Sequence, residues 1–164
     1  MIKLVFLSLF FPNLSIAKET PDQVIDKVYN AISGYVSLAN DPSFQNDETR
    51  LNGTYGEITF AGGTNLLKEL AVSANDVVYD FGSGVGKFVM QAHLTTDVKK
   101  AVGIELSTER ATRAKEALQN FKKLGYDTNK RTVDFVQGDF TKEKIDDATV
   151  VYMCNTTWSD ALMK

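Results

Sequence analysis

Residues 77–91, VVYDFGSGVGKFVMQ, decide how this chain is read. An apolar, β-prone run (Val77, Val78, Tyr79) ends on a carboxylate, Asp80, and three glycines follow at alternate positions, Gly82, Gly84 and Gly86. Good helix formers begin at Lys87. Three glycines in five residues cost more conformational entropy than a plain turn requires, so the loop predicts close approach of something to the backbone. The stretch therefore reads as a strand, a ligand loop and a helix in succession.

The same alternation continues on both sides. Thr20-Pro21 gives an N-cap and a first-turn proline, and Ile25, Val28, Tyr29, Ile32 and Val36 keep helical spacing, which predicts a helix over 21–37. Residues 40–53, NDPSFQNDETRLNG, read as a loop, and the second half of TYGEITFAGGTNLLKEL as a helix despite Gly62 and Gly63. Strand 77–81 leads to a helix over about 87–95, and strand 101–105 to a helix over about 108–124 capped by Gly125. Strands 132–137 and 149–154 complete the series. Strands alternating with helices predict an α/β fold, a Rossmann-like parallel sheet with flanking helices. The final strand, TVVYMC, is apolar enough to expect a neighbour on each side, so the chain reads as the cofactor-binding half of a larger domain, apparently without its C-terminal strands.

The start of the chain has another character. Lys3, the apolar run Leu4–Phe11, the Pro12-Asn13 break and Ser15-Ile16-Ala17 have the layout of a secretory signal peptide over residues 1–17. The apolar run is too short to span a bilayer. Export or secretion is the expectation, with an N-terminal helix and loop over 18–50 and the ligand-binding domain over 51–164.

Composition narrows the chemistry. The 164 residues carry a net charge of −3, which gives no basic nucleic-acid footprint. With only Cys154 and His93 of their kinds, a cysteine zinc cluster, a multi-histidine metal site and an internal disulfide drop out. Cys154 has no partner pattern for a nucleophile, His93 reads as a packing or surface residue, and ERATRAKEALQNFKK (109–123) reads as the solvated face of a helix.

The glycine spacing then selects the ligand. Dinucleotide folds prefer G-x-G-x-x-G, with a pyrophosphate at the helix N-terminus. Here the pattern is D-x-G-x-G-x-G. A carboxylate at the strand end repels a pyrophosphate and attracts the cationic end of an amino acid. That favours S-adenosyl-L-methionine, which carries an ammonium and a sulfonium but no phosphate. Glu105, ending the second strand, can accept from ribose hydroxyls. Asp139 in VQGDF can accept from the adenine amino group, with Phe140 on the ring face. The plainer reading makes Asp80 a helix cap, Glu105 a support for the helix after Ser107, and Asp139 a turn former.

Together DFGSGVGKFVMQA, GIELS, GDF and the lead-in YGEIT (55–59) resemble the Dot family (disruptor of telomeric silencing) of histone-lysine methyltransferases. The resemblance covers roughly residues 50–160 and implies a class I methyltransferase using S-adenosyl-L-methionine on a protein substrate, a histone lysine. It implies that Tyr55, Glu57 and Thr59 fold over the methionine end of the cofactor. Asp80, Gly82, Gly84, Gly86 and Lys87 would line the amino-acid and ribose region, with Lys87 where the family often has glutamine. Glu105 would hold the ribose, and Asp139 with Phe140 the adenine. In MCNTTW, either Cys154 or Asn155 would take the place of the family's asparagine beside the methyl group and, with Tyr55 and with Trp158 as a wall of the lysine channel, would orient the incoming amine.

Overall fold

The structure, a computed structural model, describes residues 19–39, 41–44, 53–127, 130–155, 158 and 162–163. The expected signal peptide lies outside the described residues. The helices are α1 (Pro21–Val28), α2 (Phe60–Glu69), α3 (Lys87–Thr95) and α4 (Thr108–Lys123), with a 3₁₀ turn at Pro42–Phe44. The strands are β1 (Val77–Phe81), β2 (Lys100–Glu105), β3 (Thr132–Gln137) and β4 (Val150–Met153). All neighbouring strands are parallel, in the order β3-β2-β1-β4. The first two crossovers add strands on one side of β1 and the third returns to the other. The sheet thus reverses direction beside β1, and such a reversal opens a crevice at the carboxyl ends of the strands.

Burial follows from this order. β1 is central and buried at all five positions, so both of its faces are apolar except at Asp80. Val78 faces a core shared with α1, α3 and α4, where Val85, Val89, Met90, Ala114 and Phe121 are almost fully buried. Val77, Tyr79 and Phe81 face the other way, against Ile145, Ala148 and the aromatic rings of Phe140 and Trp158 on the crossover from β3 and the chain beyond β4. β4 pairs with β1 alone among the described residues, and Val151 is 40% exposed. No helix among the described residues is long and apolar enough to cross a membrane.

α1 ends at Val28, well short of residue 37. Its start is as expected, with Pro21 in the first turn and the Thr20 N–H donating to Gln23 Oε1 at 3.0 Å. The chain leaves the helix at Tyr29, and two arginines of α4 hold the segment that follows: Arg113 donates to Ser33 O at 2.7 Å and Arg110 to Gly34 O at 3.2 Å. Ile32 and Tyr29 are still buried, the latter donating to Val85 O at 3.0 Å, so α1 and its tail pack into the core behind the glycine loop. Arg110 also corrects the reading of 109–123 as a solvated face, because it is only 5% exposed.

Gly86 opens α3 at φ +86°, and a Cβ there would overlap the Phe135 ring. Left-handed strain and overpacking add, so Gly86→Ala should lose on the order of 2–4 kcal/mol, read as a lowered midpoint in denaturant. His93 gives a pH signature. It is 2% exposed, edge-on to Phe121 at 5.7 Å, and its Nδ1 has no hydrogen-bond partner among the described residues. Burial first, and the Arg131 charge second, push its pKa down to about 4 from 6.5. Because the unfolded chain then binds more protons, this contribution is present above pH 6.5 and is lost as pH falls towards 4. His93→Phe should flatten the unfolding free energy over that window.

Candidate active site

At the carboxyl end of β1 a cleft is lined by Tyr55, Glu57, Ile58, Asp80, Gly82 and Ser83, and by Lys87, Phe88, Tyr152 and Cys154. Asp80 sits at its base. In register it lies opposite Gly103 on β2 and Tyr152 on β4, so it is in the middle of the sheet and 4% exposed. Its carboxylate accepts no hydrogen bond from the described residues. Burial, and then the charge of Glu105, push its pKa up to about 8. A buried carboxylate without a partner is costly, and the chemistry that relieves it is a cation.

Glu105 is the support under the loop. It is 5% exposed, accepts from Gly84 N–H at 2.7 Å on one oxygen and from Ser107 N–H at 2.8 Å on the other. Burial raises its pKa against those two hydrogen bonds. Gly82, Gly84 and Gly86 all have positive φ, which lets the loop turn under Glu105 and into α3. The Tyr55 ring lies so close to Gly84 that a Cβ there would approach it to 2.5 Å. Tyr55 donates to Glu57 at 2.5 Å, and Glu57 pairs with Lys87 at 2.7 Å, so the lead-in segment is tied across the cleft to the first turn of α3. The space left beside Asp80 is about 40 Å³.

The structure brings some of the expected residues together and not others. Tyr55, Glu57, Asp80, Gly82, Lys87 and Cys154 line one cleft, with Gly84 and Glu105 bonded behind it. Thr59 instead caps α2, accepting from Gly62 N–H at 3.1 Å. Asp139 shapes the turn after β3: it accepts from Thr141 N–H at 3.0 Å and Thr141 Oγ1 at 2.6 Å and pairs with Lys142 at 2.9 Å. Burial opposes its ionisation, but those hydrogen bonds outweigh it and hold the carboxyl below the usual range. Phe140 is stacked on Phe81 at 4.8 Å and on Trp158 at 4.9 Å. Trp158 therefore lies against Phe140 and beside Gly82, and is not among the residues that line the cleft.

Cys154 and Asn155 separate cleanly. Cys154 lines the cleft, whereas the exposed Asn155 donates to Met163 Sδ at 3.6 Å. Strand alternation carried one residue past β4 explains the split, since it puts Cys154 on the side of Tyr152, which lies opposite Asp80 in register. That signal was present in the sequence and points equally to Tyr152, which sequence reasoning missed. Its ring packs on Phe88 at 4.2 Å, and burial, then Asp80, raises its pKa.

Strand order, crossover helices and an acid-and-glycine cleft at the sheet's reversal define a class I Rossmann-like methyltransferase fold. An RNA methyltransferase from Salinibacter ruber, solved in complex with S-adenosyl-L-homocysteine, superposes with a TM-score of 0.51 at 32% identity over 60% of each chain. The chain belongs to the family of the histone methylation protein DOT1, whose family model matches residues 38–164. A protein-lysine N-methyltransferase of Saccharolobus islandicus is 38% identical over 60% of this chain and 58% of its own length. A histone-lysine N-methyltransferase of Caenorhabditis elegans, specific for H3 lysine-79, is 33% identical over 67% of this chain and 12% of its own. The chain thus spans little more than half of the archaeal relative and a small part of the nematode one.

Proposed function

We propose that the chain binds S-adenosyl-L-methionine in this cleft and methylates the side-chain amine of a protein lysine. One observation carries the reading: Asp80 is a buried carboxylate with no donor among the described residues, its pKa raised by burial and then by Glu105, beside a glycine loop. A cationic amino acid end suits that site, and the glycine loop runs directly beside it, with the Tyr55 ring lying over Gly84. Bound there, S-adenosyl-L-methionine supplies a methyl group on a positively charged sulfur. Asp80 would hold the ammonium, and Glu105, through its remaining lone pairs, the ribose hydroxyls.

The residues around the cleft mouth favour the acceptor's reactive form. A lysine amine must be neutral to attack, and its ordinary pKa is about 10.4. Phe88, Tyr152 and Cys154 offer a largely apolar wall that disfavours the ammonium, and the rest of the rate comes from alignment. No general base is assigned. Cys154→Ala should therefore lower turnover about tenfold with cofactor affinity unchanged, while Asn155→Ala stays within about twofold, measured as kcat and cofactor Kd.

The relatives' names favour a protein lysine as acceptor, and a histone is the first candidate. The acidic chain brings no phosphate-binding run of its own for a nucleosome. Incubating the purified chain with methyl-labelled cofactor and separate samples of core histones, nucleosomes and RNA tests the reading. Label on a protein lysine is expected; label on RNA alone, or none anywhere, contradicts it. For location we propose export directed by residues 1–17, so N-terminal sequencing of the protein recovered from cells should begin at Lys18.

A further inference from the structure

We infer that Arg110 is a positioning residue of the cofactor site, acting through Tyr55 to hold the 53–57 segment against the glycine loop. The inference rests on the cofactor reading above and assigns a part to a residue outside every motif that led to it.

Arg110 stands in the first turn of α4, just past the Glu105 and Ser107 pair. It is 5% exposed, and no carboxylate among the described residues lies within 4.0 Å of it in an ion pair. Its charge acts through space on the buried Glu105 and is met at closer range by other groups. Nε donates to Gly34 O at 3.2 Å, Nη2 to Gly53 O at 2.9 Å, and the guanidinium carbon lies 4.8 Å from the centre of the Tyr55 ring. A planar fork with several donors suits two carbonyls on different segments and one aromatic face; a lysine could not meet all three.

The three contacts converge on one object. Gly53 begins the segment that leads to Tyr55, and Gly34 lies directly behind the Tyr55 ring, where a Cβ would overlap it. Tyr35 closes the ring's edge at 5.1 Å. On its other side the ring covers Gly84, whose N–H is held by Glu105. From Tyr55 the chain of contacts runs through Glu57 to Lys87 across the cleft. Arg110 therefore fixes the back of a strap whose front borders Asp80. Gly34 and Tyr35 precede residue 38, where the family match starts, so part of this support comes from outside the matched region.

A residue that only stapled the fold would lower stability alike in every background, and would affect cofactor affinity no differently when Tyr55 is gone. The test is a double-mutant cycle on S-adenosyl-L-methionine binding by calorimetry, with thermal midpoints alongside. Arg110→Met is expected to weaken binding about tenfold, with Arg110→Lys recovering part of the loss. In a Tyr55→Leu background, Arg110→Met should add less than about twofold. Wild-type affinity in Arg110→Met, or an equal loss in both backgrounds, overturns the inference. Should Arg110→Met not fold, Gly34→Ala displaces the Tyr55 ring while leaving the guanidinium in place. It should show the same tenfold loss, and wild-type affinity there overturns the inference equally. If the wild-type chain itself binds no cofactor, the cofactor reading fails and this inference with it; a binding wild type with unaffected variants sinks this inference alone.

Discussion

Asp80→Asn should make the ligand-free chain more stable and the cofactor nearly unable to bind. The two effects have one cause. In the folded chain the carboxyl is buried beside Glu105, which raises its pKa to about 8 from 3.8. The folded state therefore binds more protons than the unfolded one between those values. Its contribution is fully present below pH 3.8 and is lost as pH rises through 8. At pH 8 and above the protein carries a buried charge that no described residue neutralises. An amide of the same shape removes that charge, and on the order of 2–4 kcal/mol of unfolding free energy should be recovered at pH 8. Loss of the carboxylate should also weaken S-adenosyl-L-methionine binding by at least about 100-fold, because a buried, hydrogen-bonded charge pair is removed. Urea unfolding at pH 5 and pH 8 and a binding titration check both halves. Lower stability of the variant at pH 8 would falsify the account of Asp80.

Glu105→Gln should fail for a different reason. Both carboxylate oxygens of Glu105 accept backbone N–H groups, from Gly84 and Ser107. A glutamine presents one acceptor and one NH₂ group, so one of those two N–H groups would face another donor in a buried place. An unsatisfied buried N–H costs about 1–3 kcal/mol, and the Gly84 N–H is the one that shapes the glycine loop. Stability should fall by about that amount, cofactor affinity by at least about 100-fold, and the pKa of Asp80 should drop as its charged neighbour disappears. Amide chemical shifts of Gly82 and Gly84 would move in Glu105→Gln and stay near wild type in Asp80→Asn.

The strands and the loop between them were legible because their signals are local. A short apolar run ending in an acid before glycines, and a helix capped by Gly125, need no distant partner to be recognised. The overlong reading of α1 came from the opposite situation. Its hydrophobic spacing continues past Val28 because Tyr29 and Ile32 stay buried in an irregular segment, which Arg110 and Arg113, more than 70 residues later, hold by the carbonyls of Gly34 and Ser33. The same arginine looked like one more charge on a solvated helix face.

The site divides along the same line. Asp80 and the glycines could be read because their positions follow from strand end and loop. Asp139 could not be told from a ligand-binding acid by sequence, because its use in the turn depends on Thr141 and Lys142 folding back on it. Trp158 likewise had an aromatic's range of uses, and the stack with Phe140 and Phe81 took it. For Cys154 against Asn155 the period of two along β4 held the answer in the sequence itself.

Proton release during cofactor binding tests most directly whether a buried, protonated acid at the tip of β1 receives the methyl donor's positive end. The measurement is calorimetric titration at pH 7 in buffers of differing ionisation enthalpy. With Asp80 titrating at about 8, close to one proton should leave per molecule bound, and none in whatever binding Asp80→Asn retains. Tight binding that releases no proton from the wild-type chain, with affinity undiminished in Asp80→Asn, would contradict it.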